Sequence, residues 1–361
     1  MKIAILGSTL WTAPSQKGKI HAPIKLTYDL AKGLVKRGHQ IVYFGLVTER
    51  EKNNHIPNLT VNDSYCKIIP NINDKEKNFR VILESCFFSK ILKKEAEKFD
   101  LIYTHIYLIG QFAQFIDKPI VFTHHDSTRV SDYEEIFQSF RRPNLSIIPV
   151  SKYLPTLYTD KSLFLPAVLN GTGVDLFEPV SQNYFAWAGR IAKPKGLHIA
   201  IELAKKHHFK LKFAGPGGDH GGLGNSSEYS QIINNLMEGE KNIEYLRTLS
   251  LSKTHEMISK AKALIFPTDG TESFSMVVAE SMCMGTPVIA LNNGPMSELI
   301  ADGVTGILCE DINEMEQALG KIDKIDRAEC RKVAKEKLSV SNMVDGYEKA
   351  FLDLIDRHSR I

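Results

Sequence analysis

Cysteine is scarce in this chain: five residues in 361, Cys66, Cys86, Cys283, Cys309 and Cys330, with no C-x-x-C pair and no metal-like spacing. They read as reduced, buried thiols, so neither a disulfide framework nor a cysteine-ligated metal is expected. Charge of one sign is equally scarce. The 45 Lys and Arg against 42 Asp and Glu leave a formal net charge of +3, and no arginine-rich or aromatic-interleaved stripe supports a nucleic-acid partner. No stretch approaches the roughly 20 apolar residues of a membrane-spanning helix. The opening MKIAILGSTLW is shorter than a secretory core and lacks a cleavage site, so a cytoplasmic location is expected. Asn-x-Ser/Thr matches such as Asn58 to Thr60 are then chance. Also missing is a G-x-G-x-x-G at the exit of the first apolar run, where GSTLWTAPSQKGKIHAP stands instead, which disfavours nicotinamide cofactors.

What is present is an ordinary globular composition, 43% hydrophobic and 24% charged, on a chain long enough for about two domains. KIAILG (Lys2 to Gly7), QIVYFG (Gln40 to Gly45), DLIYTHI (Asp100 to Ile106), PIVFTHHD (Pro119 to Asp126) and SIIPV (Ser146 to Val150) are short β-branched or aromatic runs, the mark of strands buried on both faces. A helix is expected from about Ile24 to Arg37, with Gly38 as its stop. The second half repeats the rhythm with YFAWAG, FKLKFAG, NIEYLR, ALIFP, PVIAL and GILC, separated by segments of helical period. Two such blocks predict an α/β protein of two doubly wound parallel sheets. The boundary falls among the turn residues of Leu165 to Val180, giving domains of 1–170 and 171–341, and ligands belong in the cleft at the carboxyl ends of the strands. A closing helix, about 342–361, is expected to pack back on the first domain. The basic stretches Lys32 to His39 and Lys90 to Lys98 suit either an anionic lipid surface or a solvated helix face.

The chemistry gathers in TESFSMVVAESMCMGTPVIA, Thr271 to Ala290, where Glu272 precedes an apolar helix and Glu280 lies inside it. If the whole interval were helical, eight residues would rise about 12 Å, wider than the about 5 to 9.5 Å of paired glycosidase carboxylates. Two acids held apart around a helix N-terminus suit an elongated, hydroxyl-rich ligand with phosphate in the middle. The free N–H groups of Ser275, Met276 and Val277 and the helix dipole favour that anion, and a nucleotide sugar fits the description. Taken alone, the same pattern also fits a Glu272 that merely supports the helix electrostatically and a solvated Glu280. In WAGRIAKPKG a strand ends at Gly189 and two cations follow, Arg190 and Lys195, able to neutralise a diphosphate and a departing one. The glycine-rich turn Phe213 to Gly224, beginning at Gly215, permits close approach of backbone to ligand. At the end of another strand His124 and His125 would face the cleft, where a histidine can bind a sugar hydroxyl. Neighbouring histidines on extended backbone point to opposite sides, so no metal site is expected there.

Arg190 to Gly196, NIEYLRTLSLSKTHEMISKAKALIFPT, and ESFSMVVAESMCMGTPVIALNNGPMSELIADGVTGIL together resemble the retaining glycosyltransferases of the GT-B fold, family 4. DLAKGLVKRGHQIVYF and THHD carry the resemblance into the first half. The resemblance implies that Glu272 holds hydroxyls of the donor sugar, Glu280 the ribose hydroxyls, and Arg190 and Lys195 the diphosphate. Backbone at Ser275, Met276 and Val277 would cradle sugar and phosphate, and His125 would contact the sugar near the reaction centre. It further implies a nucleotide-diphosphate sugar as donor, UDP before GDP, and a glycan or lipid-linked acceptor met at the first domain. No protein nucleophile, cofactor or metal is implied, and no D-x-D pair stands in a loop here. Peripheral membrane association at the inner face is compatible with it. The chain departs from the family where Ser275 replaces a glycine, where the loop after the first strand keeps only Gly18, and where FLG is YLR, putting Arg247 near the expected base pocket. A nucleotide-sugar epimerase of similar fold and a non-catalytic binding subunit are the rival readings.

Overall fold

The computed structural model of the chain describes residues 1–8, 12–13, 22–67, 77–106, 113–216, 228–270 and 272–360. The chain divides into two compact units, Met1–Asn170 with Val340–Ile361, and Gly171–Ser339. Among the described residues the first carries β1 (Lys2–Leu6), α1 (Ala22–Lys36), β2 (Gln40–Phe44), α2 (Glu49–Asn53), β3 (Leu59–Asn62), α3 (Lys77–Glu95), β4 (Leu101–Thr104), β5 (Ile120–His124), α4 (Val130–Ser139) and β6 (Leu145–Pro149). The second carries β7 (Phe185–Ala188), α5 (Leu197–His207), β8 (Leu211–Ala214), α6 (Glu228–Met237), β9 (Ile243–Tyr245), α7 (Leu251–Ser259), β10 (Leu264–Phe266), α8 (Met276–Cys283), β11 (Val288–Leu291), α9 (Met296–Leu299), β12 (Gly306–Cys309), α10 (Ile312–Leu319) and α11 (Arg327–Leu338). The chain then ends in α12 (Val340–His358).

Among the described residues each unit holds one parallel sheet of six strands. The orders are β3-β2-β1-β4-β5-β6 and β12-β11-β10-β7-β8-β9, the same doubly wound order twice. The direction of winding reverses between β1 and β4 in one sheet and between β7 and β10 in the other, and the carboxyl ends at such a reversal open the crevice that binds ligands in this class of sheet. Central strands are buried throughout because both faces are covered: β4, β5 and β7 have no exposed residue.

The last helix belongs to the first unit. Arg37 pairs with Asp345 and, at 3.1 Å, with Glu348, and Tyr347 lies 2.9 Å from the Thr123 hydroxyl with its ring edge-on to Tyr103. These pairings tie up part of the basic stretch at Lys32 to His39; Lys32 approaches Asp29 at 4.0 Å. The thiols differ from expectation in one place. Cys283, Cys309 and Cys330 are buried, Cys66 is half-buried and Cys86 is exposed; burial pushes the first three and Cys66 up to about 12.

His124 corrects a second expectation. Instead of facing the cleft at the strand end it is 1% exposed, enclosed by Tyr133, Phe137, Tyr158 and Phe164, with Nε2 2.6 Å from the Tyr158 hydroxyl. The pleat of β5 turns it into the aromatic cluster, so it is no ligand contact. His125, one residue on, is half-buried beyond the strand. Burial lowers the His124 imidazole to about 4, against a smaller opposing pull from Asp126. The unfolded chain therefore binds the extra proton between pH 6.5 and 4, and stability present above pH 6.5 is lost as pH falls through that window, by about 3 kcal/mol at pH 4. Urea titrations at pH 7 and pH 4 should show the native chain losing about that much more than His124→Phe; equal losses would refute the assignment.

Candidate functional site

The loop after β7, with Arg190 and Lys195, and the loop after β10, with Glu272, meet at the β7/β10 reversal. After Ala188 the chain passes Gly189 and the exposed Arg190, and the Ile191 N–H donates to the Pro216 carbonyl at 2.9 Å. One tight helical turn, Lys193–Lys195, follows and ends at Gly196 with φ +68°. Only glycine fits there: the conformation is left-handed, and a Cβ would overlap the Pro267 carbonyl of the loop after β10. That close approach brings the two strand-end loops together.

Side chains then stitch the loops. The Trp187 indole N–H donates to the Lys195 carbonyl at 3.1 Å. The Thr268 hydroxyl and the Asp269 N–H both donate to the Pro194 carbonyl at 3.2 Å, and the Asn293 amide from beyond β11 donates to the Thr268 carbonyl at 3.0 Å. Bonded to backbone from three directions, the turn holds Lys195 in one place before any ligand arrives. Its Nζ pairs with Glu272. The Glu272 side chain is 9% exposed and that of Lys195 22%, so each charge relieves the cost of shielding the other from water.

Gly215 and Arg247 meet through backbone. The Gly215 N–H donates to the Arg247 carbonyl at 3.1 Å, and the Tyr245 hydroxyl to the Gly215 carbonyl at 3.1 Å. A Cβ on Gly215 would overlap the Gly189 carbonyl. Arg247 has φ +61°, a left-handed conformation that costs a non-glycine residue roughly 1 to 2 kcal/mol. The substitution noticed in the sequence thus falls on a backbone position shaped for glycine, and it leaves an exposed guanidinium beside the β8 and β9 ends.

Helix α8 begins at Met276, with Ser275 in extended conformation before it and no side chain capping it. The N–H groups of its first turn have no partner within the helix and carry the positive end of its dipole. Glu272 sits in the preceding loop and Glu280 in the second turn, where it is buried rather than solvated. Its Oε2 lies 3.2 Å from Nε2 of His255 on α7, a residue the motif reading did not single out. The signal was faint: His255 shares a helix face with the buried Ile258 and Ser259, but its partner lies 25 positions away on another helix. Gly18, and the glycine-rich turn beyond Pro216, lie outside the described residues.

The sequence model for glycosyl transferases group 1 matches residues 174–337, and that for Glycosyltransferase Family 4 matches residues 25–153. An uncharacterized glycosyltransferase of Methanocaldococcus jannaschii is 28% identical over 348 residues, 90% of this chain and 93% of its own length. A D-inositol 3-phosphate glycosyltransferase of Streptosporangium roseum is 24% identical over 277 residues, 62% of each chain. Among solved structures, a sucrose-phosphate synthase from Thermosynechococcus elongatus superposes with a TM-score of 0.75 at 15% identity, covering 99% of this chain and 100% of that one. The Anabaena protein HepE, crystallised with UDP and glucose, gives 0.69 at 18% identity, with 98% and 100% covered.

Proposed function

The chain belongs to glycosyltransferase family 4, with the α/β GT-B fold of two Rossmann-like units, and on that premise we propose that it transfers a hexose-type sugar from a nucleotide-diphosphate sugar to a hydroxyl acceptor with retention of configuration. The observation that carries the reading is the Lys195–Glu272 pair at the β7/β10 reversal. It sets a cation and a carboxylate from two separate loops side by side where phosphate and sugar of one ligand would lie adjacent.

In this reading Glu272 accepts hydrogen bonds from the sugar hydroxyls, and Lys195, with Arg190, faces the diphosphate. Without donor the lysine and the carboxylate satisfy one another; with donor the three Lys195 protons are shared between Glu272 and phosphate oxygens. Ser275, Met276 and Val277 supply N–H groups at the start of α8, Glu280 takes the ribose hydroxyls, and Gly189, Gly215 and Arg247 border the nucleotide. His125 is proposed as a further contact to the sugar. The bond from the anomeric carbon to the diphosphate oxygen breaks while the acceptor oxygen bonds to the carbon on the same face, its proton passing to the departing phosphate. Developing negative charge on the diphosphate is what Arg190 and Lys195 stabilise, so neither a metal ion nor a protein nucleophile is part of the proposal.

UDP is the nucleotide we propose, supported by the presence of UDP with glucose in HepE. The acceptor we propose is a glycan or lipid-linked saccharide bound to the first unit, at the inner face of the membrane. No helix among the described residues is long and apolar enough to cross a membrane. Lys90, Lys93 and Lys94 are exposed on α3 and would supply contact with anionic lipid; reversing all three charges should release the protein from phosphatidylglycerol vesicles, and undiminished binding would remove the membrane from the account. The reaction itself is tested by incubating UDP-sugars with oligosaccharide acceptors, with and without EDTA, and reading the anomeric configuration by NMR. Retention unaffected by EDTA is expected; inversion, or isomerised sugar without transfer, would contradict the mechanism.

A further inference from the structure

We infer that His255 is a positioning residue for donor binding, orienting the Glu280 carboxylate toward the nucleotide ribose; this rests on the assignment of Glu280 to the ribose made above. The geometry is specific. Ser250 caps α7, its hydroxyl accepting the Lys253 N–H at 3.4 Å, and this fixes the helix phase so that His255 turns inward beside Ile258. From there Nε2 comes within 3.2 Å of Glu280 Oε2, with 14% of the histidine side chain and 11% of the glutamate side chain exposed.

Nε2 itself is closed off from solvent and makes no hydrogen bond, lying against the carboxylate as a close polar contact at 3.2 Å. A nitrogen shielded in this way cannot reach a ligand, so His255 acts through Glu280. Next to a carboxylate oxygen the favourable tautomer carries its proton on Nε2, and that proton is attracted to Oε2. That attraction biases the carboxylate toward the orientation with Oε2 at the imidazole, which leaves Oε1 as the acceptor for a ribose hydroxyl. Preorganisation of this kind strengthens binding by sparing the ligand the cost of ordering the group it meets. It leaves the chemistry at the anomeric carbon untouched.

The test measures the affinity of UDP and of 2′,3′-dideoxy-UDP by calorimetry for the native chain, His255→Leu, His255→Gln and Glu280→Gln, together with donor KM and kcat. The native chain should favour UDP by about tenfold or more. His255→Leu should lose most of that preference and raise the donor KM about tenfold with kcat within about twofold, while His255→Gln, which can again offer an N–H near the Nε2 position, should recover most of both. Glu280→Gln should also lose the preference. If His255→Leu discriminates as the native chain does, or glutamine does no better than leucine, the positioning role is wrong while the ribose assignment stands. If the native chain binds both nucleotides alike, or neither, the ribose assignment fails and this inference fails with it.

Discussion

Alanine at Lys195 is expected to lower kcat for sugar transfer by about two to three orders of magnitude, equivalent to roughly 3 to 4 kcal/mol of transition-state stabilisation. The lysine stands on a turn pinned by Trp187, Thr268 and Asp269, so its ammonium is positioned in advance and costs no reorganisation when charge builds on the diphosphate. Folding should suffer far less. The mutation strands the Glu272 carboxylate, and one member left from a fully buried pair costs about 3 to 5 kcal/mol; here the cation is partly exposed and water screens the loss to about 1 to 2 kcal/mol. Arginine at the same position restores charge but not a compact point donor, and only part of the activity should return. Steady-state kinetics with circular dichroism separate the two effects. Native kcat in a folded Lys195→Ala protein would remove the lysine from the mechanism.

Trp187→Ala should cost about 3 to 5 kcal/mol of stability and lower the melting transition by about 10 °C. Trp187 is 1% exposed on β7, its ring edge-on to Phe213 at 6.4 Å, so truncation leaves a large void among neighbours fixed by the flanking strands β8 and β10. The indole also holds the Lys195 carbonyl. Trp187→Phe separates the two roles: it keeps most of the packing, drops the bond to the turn, and should lower kcat several-fold with a loss of only about 1 to 2 kcal/mol. Calorimetry and kinetics on both variants check this. A phenylalanine variant with native kcat would mean that the turn is held well enough by Thr268 and Asp269 alone.

Much of this is legible in the sequence alone, and the reasons are local. Strands such as FAWA and ALIF sit between neighbours with both faces covered, so they announce themselves as continuous apolar runs. β3 does not: Leu59–Asn62 is an edge strand with no buried residue, and its side chains lack the run by which the others were found. The Lys195–Glu272 contact depends on Gly196 letting one loop press on the next, and although both residues were nominated, their touching is a tertiary fact. His124 was misplaced because a strand end at a crevice offers two faces, and only the packing of Tyr133, Phe137, Tyr158 and Phe164 decides which one a side chain takes. His255 went unnoticed for a similar reason, since a histidine on an amphipathic helix acquires its meaning from the helix packed against it. Arg247 is the opposite case: its departure from a glycine was visible in the sequence, and the left-handed backbone accounts for why a glycine would suit the position.

The central claim is that the β7/β10 crevice of the second unit binds a nucleotide-diphosphate sugar through Glu280 as well as Lys195 and Glu272. The most direct measurement is the melting temperature of the purified protein with UDP, GDP, ADP and their common sugar conjugates, repeated with Glu280→Ala. A ligand at about 100 times its Kd stabilises the folded form by about 2.7 kcal/mol, so one nucleotide family should raise the melting temperature of the native chain by several degrees and leave the variant unmoved. No rise with any nucleotide, or an equal rise in the variant, would contradict the account.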